Sequence, residues 1–171
     1  MISRYQLIAL LLLFALNLFG QKPEIVVSNG HADQINTIDM SEDGEWVASG
    51  GNDKLVKIIH AASGKELRTL AGNNGRIDFV KFDPTAKYIG AGVNHGSIKF
   101  WEVETGKLIF EFPAETTAME FDFCLNNKKV VYVNDDNYLT TINYKDGSDK
   151  KVFESVGLLK IKGHPNGKVV Y

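Results

Sequence analysis

The chain repeats itself. Moved by 42 positions, HADQINTIDMSEDGEWVASGGNDKLVKIIHAASGKELRTLAG (residues 31–72) lies on NNGRIDFVKFDPTAKYIGAGVNHGSIKFWEVETGKLIFEFPA (residues 73–114) without a gap. Ile38 and Met40 fall on Val80 and Phe82, Trp46 on Tyr88, Val56 and Ile58 on Ile98 and Phe100, and Gly64-Lys65 on Gly106-Lys107. A third copy (115–155) follows at an offset of 41, carrying Phe121, Phe123, Val130, Leu139 and Gly147, and a fourth (156–171) begins with Leu159 and Ile161. A sequence that recurs at fixed spacing must build one unit several times and bury each against its neighbour.

Each copy holds four short runs of alternating apolar and polar residues, the signature of half-buried strands. Three turns separate them in constant order. The first is EDG, DPTAK or LNNK, the second GNDK, VNHG or NDDN, and the third ASGK, ETGK or KDGS. Four strands in about 40 to 45 residues is the period of a β-propeller blade. An all-β sandwich with evenly spaced hairpins is the competing architecture. The pattern predicts third strands over 55–60, 97–103 and 138–144, with Gly44, Gly64, Gly106 and Gly147 in hairpin loops. It predicts no helix of two turns or more after Pro23.

Residues 1–20, MISRYQLIALLLLFALNLFG, stand apart. Arg4, an apolar run from Leu7 to Phe19 broken by Asn17, and Gly20 before QKPE resemble a secretory signal peptide. That implies export to a periplasm or the extracellular space, the alternative being an uncleaved membrane anchor. Removal of the segment lowers the basic residues from 19 to 18 against 21 acidic ones. So balanced a chain suggests neither a nucleic-acid partner nor, after cleavage, a membrane. Cys124 is the single cysteine, so no intramolecular disulfide can form. It follows an apolar strand and reads as partly buried and inert.

Catalytic groups are sparse. His31, His60, His95 and His164 lack the paired spacing of metal ligands. Asp135 and Asp136 are adjacent in a loop, where two carboxylates rarely converge as acid and base. No glycine-rich phosphate loop precedes a helix. The sequence therefore points to no catalytic residue, no metal and no cofactor, and to a non-enzyme.

GHADQINTIDMSEDGEWVASGGNDKLVKI and GSIKFWEVETGKL together resemble WD40 repeats: Gly-His at the start, Asp-Gly before the second strand, and Trp101-Glu102 where the family has Trp-Asp. The resemblance extends over residues 23–171 and implies an incomplete all-β propeller of about three and a half blades. In that family a hydrogen-bond chain runs from His before the first strand, through Ser or Thr of the second and Asp of the next turn, to Trp of the third. By position the first copy supplies His31, Ser49 and Asp53, with Ile59 in the Trp place. The second supplies Trp101, beside Asn73, Ala91 and His95, and the third only Asp136, beside Ala114, Tyr132 and Ile142. No copy is complete, so Trp101 is expected to be held by burial. Structural roles fall to Ser49, Asp53, Trp101 and Asp136.

Residues 24–28, EIVVS, align with the fourth strand of the first copy. In the family such a strand completes the last blade, which implies that the rest of the polypeptide, beyond residue 171, is a partner of this piece. A complete miniature propeller is the alternative. If the piece is incomplete, open strand edges should make residues 21–171 alone self-associate.

The resemblance implies a scaffold that binds a protein or peptide through rim loops. The rim candidates are His31, Asp33, Asn52, Lys54, Asn74, Arg76, Asn94, His95, Asp135 and Asn137, with Arg76 preferred because Arg is enriched at binding hot spots. A second implication is a regulatory or substrate-recruiting propeller of a larger enzyme, since exported bacterial proteins resembling this N-terminus often join WD40 repeats to other domains, caspase-like peptidases among them.

Overall fold

The computed structural model describes residues 30–93, 96–112, 118–124, 128–134, 136, 138–154, 162–163 and 169–170. They form three four-stranded antiparallel sheets and a two-stranded piece. The first sheet is β1 (Ile35–Met40), β2 (Trp46–Gly51), β3 (Val56–His60) and β4 (Glu66–Leu70). The second is β5 (Ile77–Phe82), β6 (Tyr88–Val93), β7 (Ile98–Glu102) and β8 (Leu108–Phe112). The third is β9 (Ala118–Cys124), β10 (Lys129–Asn134), β11 (Tyr138–Asn143) and β12 (Lys151–Glu154), and β13 (Lys162–Gly163) pairs with β14 (Val169–Val170). Strands within each four-stranded sheet are neighbours in chain order. This is a partial propeller of WD40-type blades, and no helix occurs among the described residues. The third strands β3, β7 and β11 lie within the expected spans. Val103 and Tyr144 fall just past them, already in turns.

The repeat persists into fine detail. The β3–β4 ladder bulges between Ile58 and Ile59, and β7–β8 bulges between Phe100 and Trp101, the same place one repeat later. All three loops from third to fourth strand close alike: Gly64 N–H donates to the His60 carbonyl at 2.9 Å, Gly106 to Glu102 at 2.8 Å and Gly147 to Asn143 at 2.8 Å. These glycines have φ of 66, 70 and 72°, a left-handed conformation that glycine adopts without steric cost. Gly44, at φ 73°, turns the chain from β1 into β2.

The first-to-second turns share a staple as well. Ser41 Oγ accepts the Trp46 N–H at 2.9 Å, and Asp83 Oδ1 accepts the Tyr88 N–H at 2.7 Å. Both staple residues are buried. The third repeat puts Cys124 at this place.

Two seams join the three blades, and their chemistry differs. β5 pairs with β6 on one side only, so N–H groups on its other edge need partners. β1 supplies them from side chains: Thr37 Oγ1 accepts the Val80 N–H at 3.3 Å and Asp39 Oδ2 the Phe82 N–H at 2.7 Å. Above this polar edge, Val56, Ile58, Ile77, Val80 and Ile89 pack in one buried cluster. One repeat later, Phe79 and Lys81 stand where Thr37 and Asp39 stood, and the seam becomes aromatic. Phe79 meets Phe121 edge-on at 5.5 Å, and Phe100 meets both Phe121 and Phe123. Each buried Phe contributes about 1.5–3 kcal/mol by burial, and each such ring pair about 0.5–1.5 kcal/mol more. Tyr144, fully buried here, has its hydroxyl pushed well above the ordinary phenol range, chiefly by burial.

Ile38 and Met40 occupy on β1 the places of Val80 and Phe82 on β5, yet they are 70% and 58% exposed. Trp101 is buried in the first core cluster with Val103. Cys124 is buried too, more completely than the sequence suggested, and burial raises its thiol to about 11.

Candidate functional site

The loops leading into β1 and β5 and the loop between β2 and β3 gather on one rim. At its base lies a charged knot. His31 Nδ1 sits 2.9 Å from both carboxylate oxygens of Asp53, and its Nε2 sits 2.8 Å from Ser49 Oγ. Asp53 also accepts the N–H groups of Ala32 and Leu55. Burial alone would raise the Asp53 carboxyl. The bonds from His31, Ala32 and Leu55 outweigh it and hold the group below the usual carboxylate range. The chain of bonds implied for His31, Ser49 and Asp53 is therefore made, and Ile59 takes no part in it.

This geometry moves His31 out of the rim set. Its side chain is only 3% exposed and both ring nitrogens are engaged, so it holds the loops and presents nothing to a partner. Asp33, Lys54, Asn74 and Arg76 do reach solvent. Asp33 Oδ1 turns back to accept the Gln34 N–H at 2.6 Å. Asn52 is half-buried and accepts a hydrogen bond from Asn36 at 2.9 Å. Lys54 bends through φ 66° in its turn. Arg76 is 54% exposed, and its Nε lies 2.8 Å from Asp78 Oδ1. Asp78 is the extra residue of a bulge in β5, between Ile77 and Phe79.

Asn94, His95, Asp135 and Asn137 lie outside the described residues, as do residues 1–29 with the leader and the segment 24–28, and also Ala114 and His164. Asp136 is described and exposed in its turn. Beside it, Asn134 Oδ1 accepts the Tyr138 N–H at 2.7 Å. Among the described residues no three His, Cys, Asp or Glu side chains group as metal ligands would.

Three side chains that tie the rim together escaped the sequence reading. Asn36 Nδ2 donates to Asn52 Oδ1 and to the Ile77 carbonyl, at 2.9 and 3.1 Å. Asn73, in the place His31 holds one repeat earlier, donates to the Lys54 carbonyl at 3.0 Å. Lys99, 7% exposed, donates to the Gly72 carbonyl at 2.7 Å and pairs with Glu111 at 3.7 Å. Together they fasten the loop after β2 to the loop before β5. A signal for Lys99 was present: Lys57 stands 42 residues earlier, and it too is buried, beside Glu66 and Thr69 at 3.0 Å each.

Comparison with known proteins agrees with this architecture. Residues 22–60 and 64–102 match the family described as WD domain, G-beta repeat. Eukaryotic translation initiation factor 3 subunit I of Pyricularia oryzae is 31% identical over 98 residues, 56% of this chain and 29% of that protein. The small ribosomal subunit protein RACK1 of Caenorhabditis elegans is 38% identical over 89 residues, 52% of this chain and 27% of that protein. The chain thus spans less than a third of either relative. Both are eukaryotic proteins and lend no support to bacterial export. The crystal structure of the WD40 domain from Toxoplasma gondii coronin superposes with a TM-score of 0.69 at 15% identity, covering 78% of this chain and 37% of that one. At that identity the likeness concerns the fold.

Proposed function

Because the chain belongs to the WD40-repeat β-propeller family, we propose that it works as a protein-interaction scaffold whose partner, a protein or peptide, is held on the rim formed by the loops before β1 and β5 and after β2. One observation carries this reading. Asp33, Lys54, Asn74 and Arg76 are exposed on loops that Asn36, Asn73 and Lys99 fasten to one another, so polar side chains are offered from a backbone that loses little freedom when a partner arrives. Arg76 is the foremost contact, with Asp78 holding the near side of its guanidinium.

Arg76→Ala tests it. An exposed ion pair adds at most about 1 kcal/mol, so the variant should melt with the wild type while capturing less of its partner from a native extract. Undiminished capture by a variant lacking Arg76, Lys54 and Asn74 together would show that the rim is not the site.

Export remains part of this proposal, on the strength of the sequence of residues 1–20 alone. Mass analysis of protein from its native cell should then find Gln21 at the N-terminus, whereas intact Met1 in a membrane fraction would favour the anchor.

A further inference from the structure

The opposite rim carries a groove of about 510 Å³ between the first two blades. Trp46 and Leu67 of the first blade face Tyr88 and Val103 of the second across it. Its walls are fixed. Trp46 and Tyr88 hang from the two matching turn staples, and the Trp46 ring is braced edge-on by His60 at 5.3 Å. Across the seam, Arg68 donates from Nε and Nη2 to the Glu104 carbonyl at 3.2 and 2.5 Å. The Val103 N–H donates to the Lys87 carbonyl at 2.9 Å.

The charge around this apolar floor is uneven. Glu102, Glu104 and Lys87 line the groove, and the turn that delivers Trp46 adds Glu42, Asp43 and Glu45, all exposed. Against these five carboxylates stand Lys87, Arg68, which is spent on a carbonyl, and Lys145, whose Nζ lies 4.4 Å from the centre of the Tyr88 ring. Asp43 is further held in its charged form by hydrogen bonds from Ser41 and from the Glu45 N–H.

We propose that this groove is a second docking site and that it receives an arginine side chain, flanked by apolar residues, from a partner polypeptide. A guanidinium is planar and weakly hydrated, so it can lie on the Trp46 ring while its N–H groups reach Glu102 and Glu104. The flanking apolar residues cover Leu67. The site is independent of the rim where Arg76 stands.

The test uses the ¹⁵N-labelled full chain titrated with the acetylated, amidated pentapeptide Ala-Leu-Arg-Leu-Ala. Saturable shifts centred on the Trp46 indole and the Ala86 amide are expected, with Kd on the order of 1 mM for so small a ligand. Glu102→Gln with Glu104→Gln should weaken binding about fivefold or more, and Lys87→Glu, a change at an exposed site, should tighten it. Arg76→Ala should leave it unchanged, which separates this site from the other rim. The same peptide with Glu in place of Arg should produce no shift at Trp46. The proposal is overturned by an absence of saturable shifts, by shifts centred elsewhere, by an equal response to the Glu peptide, or by Lys87→Glu binding no tighter than wild type.

Discussion

Asp39 of the first blade holds the Phe82 N–H of the second at 2.7 Å, with Lys81 Nζ 3.6 Å from its other oxygen. A side chain here does what a neighbouring strand does inside a sheet: it satisfies an edge amide that would otherwise face the seam unpaired. Asp39→Ala should cost about 1–3 kcal/mol, the penalty for leaving such a group without a partner. Asp39→Asn, which keeps an acceptor oxygen, should cost less. Amide exchange followed residue by residue would show Phe82 losing protection first. Unchanged exchange at Phe82 in the alanine variant would rule this out.

Gly92 lies opposite Phe79 in the β5–β6 ladder, and a Cβ built on it would come within 1.7 Å of the Phe79 ring. Gly92→Ala should therefore destabilise the chain by about 1–3 kcal/mol through overpacking. Adding Phe79→Leu should return part of that loss, because the smaller side chain vacates the space. Denaturant titration of the two single variants and the double variant measures the coupling.

Ala86 occupies the turn position that Gly44 holds one repeat earlier, and it does so at φ 55°. A left-handed alanine carries about 1–2 kcal/mol of strain, part of which glycine returns as extra freedom in the unfolded chain. Ala86→Gly should raise the midpoint of chemical denaturation, by up to about 1 kcal/mol in stability. The same exchange at Ala91, within β6, should lower it.

Asp53 is held below the ordinary carboxylate range in the folded chain. Its contribution is therefore full above the unfolded carboxylate value, about 3.9, and is lost as pH falls through the lower folded value. Asp53→Asn should flatten the acid limb of a stability-against-pH curve below about pH 4, while lowering stability near neutrality. An unchanged acid limb would place the sensitivity in other carboxylates.

Strands and turns were legible because their causes are local. Alternation, Asp-Gly and the recurring glycine before Lys65 and Lys107 act within a few residues, and the 42-residue offset multiplies each signal. The left-handed Ala86 was legible in principle, since the same offset lays it under Gly44. Roles that depend on what stands across a seam were harder. Nothing near Thr37 and Asp39 says that they cap the next blade, while Phe79 and Lys81 in the same places do not. His31 carried two expectations, a partner contact and a place in the knot with Asp53, and only its burial separates them. Arg76 was preferred as a contact because Arg is enriched at binding hot spots, and its pairing with Asp78 rests on side-chain geometry at a bulge that the sequence does not spell out.

Cys124 is the single thiol of the chain, shut inside the third blade and resistant to ionisation. Alkylating reagents attack thiolates, so in the native protein this one should react only when the third blade opens. Labelling rate then becomes a clock for that event. Run beside the amide exchange of Phe82, it would reveal whether the aromatic seam parts together with the polar seam or survives it, and so whether the blades come undone as one body or leaf by leaf.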